Sequence, residues 1–93
     1  MSNSKIIEDV AALFIKTNQG HHKAFMKTEG VDPEWPIWYA DYLYDKLGNL
    51  LNSELTKSEI IYLLQMLENK RTMYAPSSNW PKYYAKILVD RYL

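Results

Sequence analysis

The stretch EWPIWYADYLYDKL, residues 34–47, returns 45 residues later as NWPKYYAKILVDRY, residues 79–92. On a helical wheel the identical positions lie on one broad face, as expected for the buried side of an amphipathic helix. This repeat predicts two similar helices that pack through the same face. The identical pairs are Trp35 and Trp80, Pro36 and Pro81, Tyr39 and Tyr84, Ala40 and Ala85, Leu43 and Leu88, and Asp45 and Asp90.

The positions at which the two copies differ lie together on the opposite face. They are Ile37 against Lys82, Asp41 against Lys86, and Tyr44 against Val89. We therefore expect the shared face to point inward and the variable face to point outward. In this interpretation proline starts each helix, while tryptophan and tyrosine fill volume in the core. The sequence predicts that Trp35 and Trp80 are both largely buried and serve equivalent packing roles.

Helix boundaries follow from periodicity and from capping residues. A stripe with helical spacing predicts one long helix over residues 4–29, with a possible kink at Gly20 and a left-handed stop at Gly30. The second helix is expected over residues 35–47, where Gly48 and Asn49 end it or residues 50–51 add a further turn. Thr56 and Glu59 match a capping box before a third helix at 57–71, and the last helix runs from residue 80 to the C-terminus.

These elements predict an all-α fold, with a four-helix arrangement in one domain, residues 1–93. It would consist of two helical hairpins, residues 4–51 and 55–93, related by a partial pseudo-twofold repeat. The symmetry is expected to be partial because the repeat is not found upstream of the Trp-Pro segments. The first helix is longer than the third and has no pair like Leu63-Leu64.

Composition excludes several classes of function. Eleven basic residues balance eleven acidic ones, so no net field favours a nucleic acid as partner. Without cysteine the chain forms no disulfide and no thiolate metal site. The N-terminus does not fit a secretory signal, and no apolar run is long enough to span a bilayer. We expect a cytoplasmic protein with no membrane partner.

His21 and His22 are the first candidates for chemistry. Adjacent rings point about 100° apart on a helix, whereas helical metal ligands are spaced by three or four residues. No Glu stands three residues before a histidine, no serine lies in a catalytic elbow, and the three glycines form no phosphate loop. We predict no catalytic residue, no metal ligand and no cofactor. His21 is expected to be structural, and whether the protein is an enzyme stays open.

Three segments resemble those of a set of short bacterial helical proteins that have no established activity. They are GHHKAFMKTEGVDPEWPIWYADYL at 20–43, LTKSEIIYLL at 55–64 and NWPKYYAKIL at 79–88. The likeness covers about residues 13–92. It implies a bacterial, cytoplasmic origin, and it assigns no chemical role to any residue.

The sequence is compatible with two functions. The first is a small interaction module that contacts another protein or forms a homodimer through an exposed strip of Ile37, Asp41 and Tyr44, with Trp38 at its margin. The alternative is a small-ligand-binding protein, or a minor enzyme, with an aromatic and histidine pocket between the hairpins. Its candidate lining residues are His21, His22, Trp38, Tyr39, Tyr83 and Tyr84.

Overall fold

The fold is known from a computed structural model, which describes residues 3–29 and 31–93. In this part of the chain the regular structure is entirely helical, so the prediction of an all-α fold is confirmed. A short 3₁₀ turn, Met26–Thr28, follows the first helix. The helices are α1 (Ser4–Ala24), α2 (Trp35–Leu43), α3 (Leu47–Leu51), α4 (Lys57–Tyr74) and α5 (Trp80–Tyr92).

The first helix ends earlier than the sequence predicted. It stops at Ala24 instead of continuing to Glu29, and Glu29 itself takes the left-handed conformation with φ 57°. The helix runs unbroken through Gly20, where a Cβ atom would lie 3.2 Å from the Trp38 ring. Glycine at this position therefore lets the indole of α2 approach α1. The predicted stop at Gly30 lies outside the described residues.

The predicted capping box at the start of α4 is confirmed. The Thr56 hydroxyl accepts a hydrogen bond from the Glu59 N–H at 3.1 Å, and the Glu59 carboxylate accepts one from the Thr56 N–H at 3.0 Å. The second helix ends at Leu43, earlier than predicted, and Gly48 and Asn49 lie within α3, which is the further turn that the sequence allowed at residues 50–51. A Cβ atom at Gly48 would lie only 2.5 Å from the Ser53 carbonyl oxygen, so the chain after α3 folds back closely over this position.

The helices pack mainly across the predicted hairpins. The most extensive helix contacts are those of α1 with α5 and of α2 with α4, whereas neighbours along the chain touch less. The hairpins therefore interlock. Exchanging the two halves of the chain turns the first contact into the second, as a pseudo-twofold relation requires.

Upstream of the Trp-Pro segments the two halves share a burial pattern, although their sequences share only Leu13 and Leu63 there and α1 is longer than α4, as expected. The equivalent residues of α1 and α4 are 50 positions apart, against 45 for α2 and α5. The α1–α2 connection has ten residues, 25–34, and the α4–α5 connection has five, 75–79, so the extra five residues account for the change of spacing. The buried or half-buried pairs are Val10 and Ile60, Leu13 and Leu63, Phe14 and Leu64, Thr17 and Leu67, and His21 and Arg71.

Burial follows the apolar part of the repeated face, whereas its shared acidic residues, Asp45 and Asp90, are exposed. Tyr39, Ala40 and Leu43 are buried, and so are their copies in α5. Trp35 and Trp80 are partly buried and pack against the core, so neither reaches the full burial of the residues that follow it. Both rings line an opening at the surface. Val89, expected on the outward face, is fully buried, because α5 contacts α1, α3 and α4.

Candidate functional site

The expected partner surface lies along the exposed side of α2. We call Ile37, Asp41 and Tyr44 the α2 strip. Ile37 is 50% exposed and Tyr44 46%. Between them, an Asp41 carboxylate oxygen lies 3.1 Å from the Lys57 ammonium of α4, which in turn lies 5.3 Å from the centre of the Tyr44 ring. The strip thus combines two apolar side chains with one exposed ion pair.

Trp38 lies at the margin of the strip, and most of its ring contacts other residues of the same chain. Its ring stacks on Tyr42, with centroids 5.7 Å apart, and meets the edge of His21 at 5.3 Å. Trp38 also closes over Gly20. It is half-buried and fixes α2 on α1, so Ile37 and Tyr44 are the more available parts of this surface.

A groove between α2 and α4 continues the strip toward the start of α2. Its volume is about 560 Å³, and its lining includes Ile37, Ile61, Trp35 and Gln65. The equivalent region between α1 and α5 carries charge, since Lys82 stands where α2 has Ile37. The apolar strip is therefore a property of one half of the molecule.

The histidines occupy different environments. His21 is buried, its Nε2 lies 3.0 Å from the Asp32 carboxylate, and its ring stacks on Phe25 with centroids 4.7 Å apart. These contacts tie the end of α1 to the following loop. His22 is exposed. Tyr83 lies on α5 beside a shallow depression with Lys82 and Lys86, apart from His21.

A different pocket forms where the two halves meet. We call it the axial pocket; its volume is about 240 Å³. It brings together Tyr39 and Tyr84 from the expected set, whereas His21, His22, Trp38 and Tyr83 do not line it. Three of its residue pairs are equivalent between the halves. The lining residues are Asn18 and Glu68, Trp35 and Trp80, Tyr39 and Tyr84, and Arg71.

The hydroxyl groups of the two tyrosines in the axial pocket donate hydrogen bonds to different kinds of acceptor. The Tyr39 hydroxyl donates to the Asn18 amide oxygen at 3.0 Å, and the Tyr84 hydroxyl donates to the Glu68 carboxylate at 2.7 Å. Arg71 donates to both Glu68 oxygens, at 2.9 and 2.8 Å, and to the Pro76 carbonyl oxygen at 3.1 Å. The second half thus builds a charged network where the first half has a neutral bond.

This network changes the titration of its members. The hydrogen bonds from Arg71 lower the pKa of Glu68, so the carboxylate is charged at neutral pH. Burial, assisted by the charge of Glu68, raises the pKa of Tyr39 to about 12. Burial also raises the pKa of Tyr84, and the hydrogen bond to Glu68 adds to the effect. Both phenols are therefore neutral, and the pocket carries one negative and one positive charge.

Sequence reasoning missed Asn18, Glu68 and Arg71 as parts of a site. An alignment of α1 with α4 at a spacing of 50 residues would have identified Asn18 and Glu68 as an equivalent pair, each of which accepts a hydrogen bond from one of the two tyrosines. Within residues 3–29 and 31–93, no group of three or more His, Cys, Asp or Glu side chains could hold a metal ion. Among the described helices, none is long and apolar enough to cross a bilayer.

Comparisons of the chain with protein-family models, with curated proteins and with solved structures found no match.

Proposed function

We propose that this protein is a helical interaction module that forms a homodimer through the α2 strip. The observation that carries the proposal is the arrangement of one acid and one base between two exposed apolar side chains. A twofold interface places the same patch on both subunits. Asp41 of one copy can then meet Lys57 of the other, and the reverse pair forms by symmetry.

The apolar part of the strip supports the same partner. Ile37 and Tyr44 are each about half exposed, and the groove beside Ile37 offers a recess for a side chain of the second copy. Tyrosine combines contact area with a hydrogen-bonding tip, and it is enriched at the energetic centres of interfaces. A partner of net opposite charge has no support here, because the chain is neutral overall.

The first test compares two equal substitutions on opposite faces. Ile37→Lys introduces the residue that α5 carries at the equivalent position, and it should convert the dimer to a monomer. Ile15→Lys is the matched control, because Ile15 on α1 is 46% exposed and lies outside the strip. Light scattering after size exclusion, at about 10–500 µM protein, measures the mass of each form. Circular dichroism verifies that both variants are folded.

The proposal fails if the parent protein is monomeric over this range, or if both lysine variants dissociate alike. A charge exchange then tests the pairing itself. Asp41→Lys and Lys57→Asp should each weaken the dimer by placing like charges opposite each other. The double variant should restore it. Failure of the double variant to recover would exclude Asp41 and Lys57 as partners across the interface.

The proposed setting is the bacterial cytoplasm. The lack of cysteine suits a reducing compartment, and the resemblance to short bacterial proteins agrees with it. In this proposal the protein acts by contact alone and performs no reaction. A steady product from any assay with purified protein, lost in a pocket variant but not in Ile37→Lys, would contradict that part.

A further inference from the structure

From the axial pocket we propose a second function, the binding of a small zwitterion that carries a methylated ammonium group and a carboxylate. The inference is independent of self-association. It rests on the aromatic lining of the pocket, on its single carboxylate–guanidinium pair, and on its volume.

Four aromatic rings are gathered in pairs around this pocket. The Trp35 and Tyr39 rings meet edge to face with centroids 5.1 Å apart, and Trp80 and Tyr84 repeat the arrangement at 5.1 Å. The Tyr39 and Trp80 centroids are 6.4 Å apart, which joins the pairs. The faces of tryptophan and tyrosine rings attract cations, and sites lined by several such rings recognise quaternary ammonium groups.

The charges of the pocket favour a ligand with no net charge. An isolated anion would be attracted by Arg71 but repelled by Glu68. An isolated cation would be attracted by Glu68 but repelled by Arg71. A zwitterion satisfies both if its carboxylate lies toward Arg71 and its ammonium lies among the rings and Glu68. The guanidinium has five N–H donors. Three of them are engaged by described residues, which leaves two for a ligand.

Hydrogen-bond capacity distinguishes a methylated ammonium from a primary one. A primary ammonium carries three donors and needs acceptors for them. The two Glu68 oxygens already accept from Arg71 and Tyr84. A trimethylammonium group needs no acceptor, and its methyl groups suit the aromatic rings. The Asn18 amide nitrogen adds a donor near the Tyr39 hydroxyl for the carboxylate end.

The volume sets the size of the ligand. About 240 Å³ is the space of roughly eight water molecules at about 30 Å³ each. A trimethylammonium group joined to a carboxylate by a single methylene has eight non-hydrogen atoms. The pocket is open at the surface and is lined by the partly exposed Trp35 and Trp80, so such a molecule can enter without unfolding of the chain.

Titration calorimetry with three probes tests the proposal. Glycine betaine should bind, with a dissociation constant in the millimolar range. The isosteric 3,3-dimethylbutanoate replaces the charged nitrogen with carbon and should bind at least about tenfold more weakly, because it loses the cation–π attraction. Tetramethylammonium, which lacks the carboxylate, should also be weaker.

Variants separate this site from the rest of the molecule. Trp80→Leu should abolish betaine binding, and Arg71→Gln should reduce the betaine affinity to that of tetramethylammonium. Trp38→Leu is the matched control, since it removes an indole outside the pocket and should leave binding unchanged. Ile37→Lys should also bind as the parent does, which keeps the result independent of dimerisation.

Three outcomes would overturn the proposal. They are no binding of glycine betaine up to about 50 mM, equal binding of betaine and its carbon isostere, and equal loss of binding in Trp38→Leu and Trp80→Leu. Thermal melts of each variant establish that it is folded. If Trp80→Leu is unfolded, the comparison of the three probes on the parent and the Arg71→Gln variant decide the question.

Discussion

The two halves of this chain share an apolar framework and differ in the polar residues attached to it. Each contributes a long helix, a connection and a Trp-Pro helix, and the buried positions of one half recur in the other. The differences concentrate at the ends of the tyrosine side chains and on the outer faces. Tyr39 meets a neutral amide, whereas Tyr84 meets a carboxylate held by an arginine. The apolar framework therefore defines the shared fold, and the polar substitutions give each half its own surface chemistry.

The connection between helices shows how such a repeat can be hidden. Five additional residues in the first half change the spacing of the equivalent positions from 45 to 50. They accommodate the 3₁₀ turn and the loop that carries Asp32, the partner of His21. The interlocked packing tolerates this insertion because connections lie at the surface and lengthening them costs little conformational free energy.

The largest expected effect comes from a pair of core substitutions, one in each half of the chain. Leu43 and Leu88 are equivalent and almost fully buried. Replacing either with Ala should lower the free energy of unfolding by about 3 kcal/mol, through lost transfer free energy and a residual cavity. Chemical denaturation measures both losses. Ile15→Ala, at an exposed position, should change stability by less than about 0.5 kcal/mol.

The two leucine variants should agree within about 1 kcal/mol if the halves contribute equally to the core. A loss at Leu88 as small as that at Ile15, or a twofold difference between the leucines, would mean that the sequence repeat has no energetic counterpart.

Substitutions of Trp35 and Trp80 test whether the two halves differ in how much their tryptophans contribute to stability. The Trp80 ring lies near Phe14, Tyr39 and Tyr84, with centroid distances from 5.1 to 6.4 Å, whereas Trp35 has a close ring contact with Tyr39 at 5.1 Å. We expect Trp80→Ala to cost about 3 kcal/mol and Trp35→Ala about 1–2 kcal/mol, since both residues are partly exposed and fully buried sites cost more. Urea denaturation monitored by circular dichroism gives both values.

Equal losses at the two positions would contradict the asymmetry and would restore the equivalence that the sequence predicted. Trp38 gives a useful reference, because its ring packs on α1 outside the axial pocket. Fluorescence of the remaining tryptophans in each variant reports whether the local structure persists.

Much of the fold could be predicted from particular residues. The Thr56–Glu59 capping box and the shared face of Tyr39, Ala40 and Leu43 follow directly from local chemistry and helical period. The packing of α1 on α5 could not be predicted, because short connections favour neighbouring helices as partners, and an interlocked arrangement satisfies the same apolar stripes. The partial exposure of Trp35 could not be predicted either, because a large aromatic residue at the start of a helix fits a core and a pocket wall equally well.

The axial pocket illustrates a second limit. Tyr39 and Tyr84 were expected in a pocket. The residues that accept hydrogen bonds from their hydroxyl groups, Asn18 and Glu68, lie 21 and 16 positions away in the chain, on other helices. Glu68 and Arg71 also look like an ordinary surface ion pair, three residues apart on α4. Their role in a pocket depends on how α5 lies against α4, which is a tertiary feature.

The smallest expected effect concerns the pH dependence of the charged network in the second half. The hydrogen bonds from Arg71 depress the pKa of Glu68 below its usual value of 4.5 in the folded protein. A carboxyl group with a lower pKa in the folded state stabilises the fold fully above its unfolded pKa, and this contribution is lost as the pH falls through the folded pKa. Glu68→Gln removes the titration, as Asn18 does naturally in the first half.

We therefore expect the melting temperature of the parent protein to fall more than that of Glu68→Gln between about pH 6 and pH 3. The difference should be up to about 5 °C, because a partly exposed ion pair contributes at most about 1 kcal/mol. Both proteins keep the acid sensitivity of Asp45 and Glu59, whose pKa values are lowered by Lys46 and by Thr56. Glu54→Gln, at an exposed position, should follow the parent. If Glu68→Gln also follows the parent over this range, Arg71 and Glu68 form a pair without energetic consequence, and the two halves differ in chemistry but not in stability.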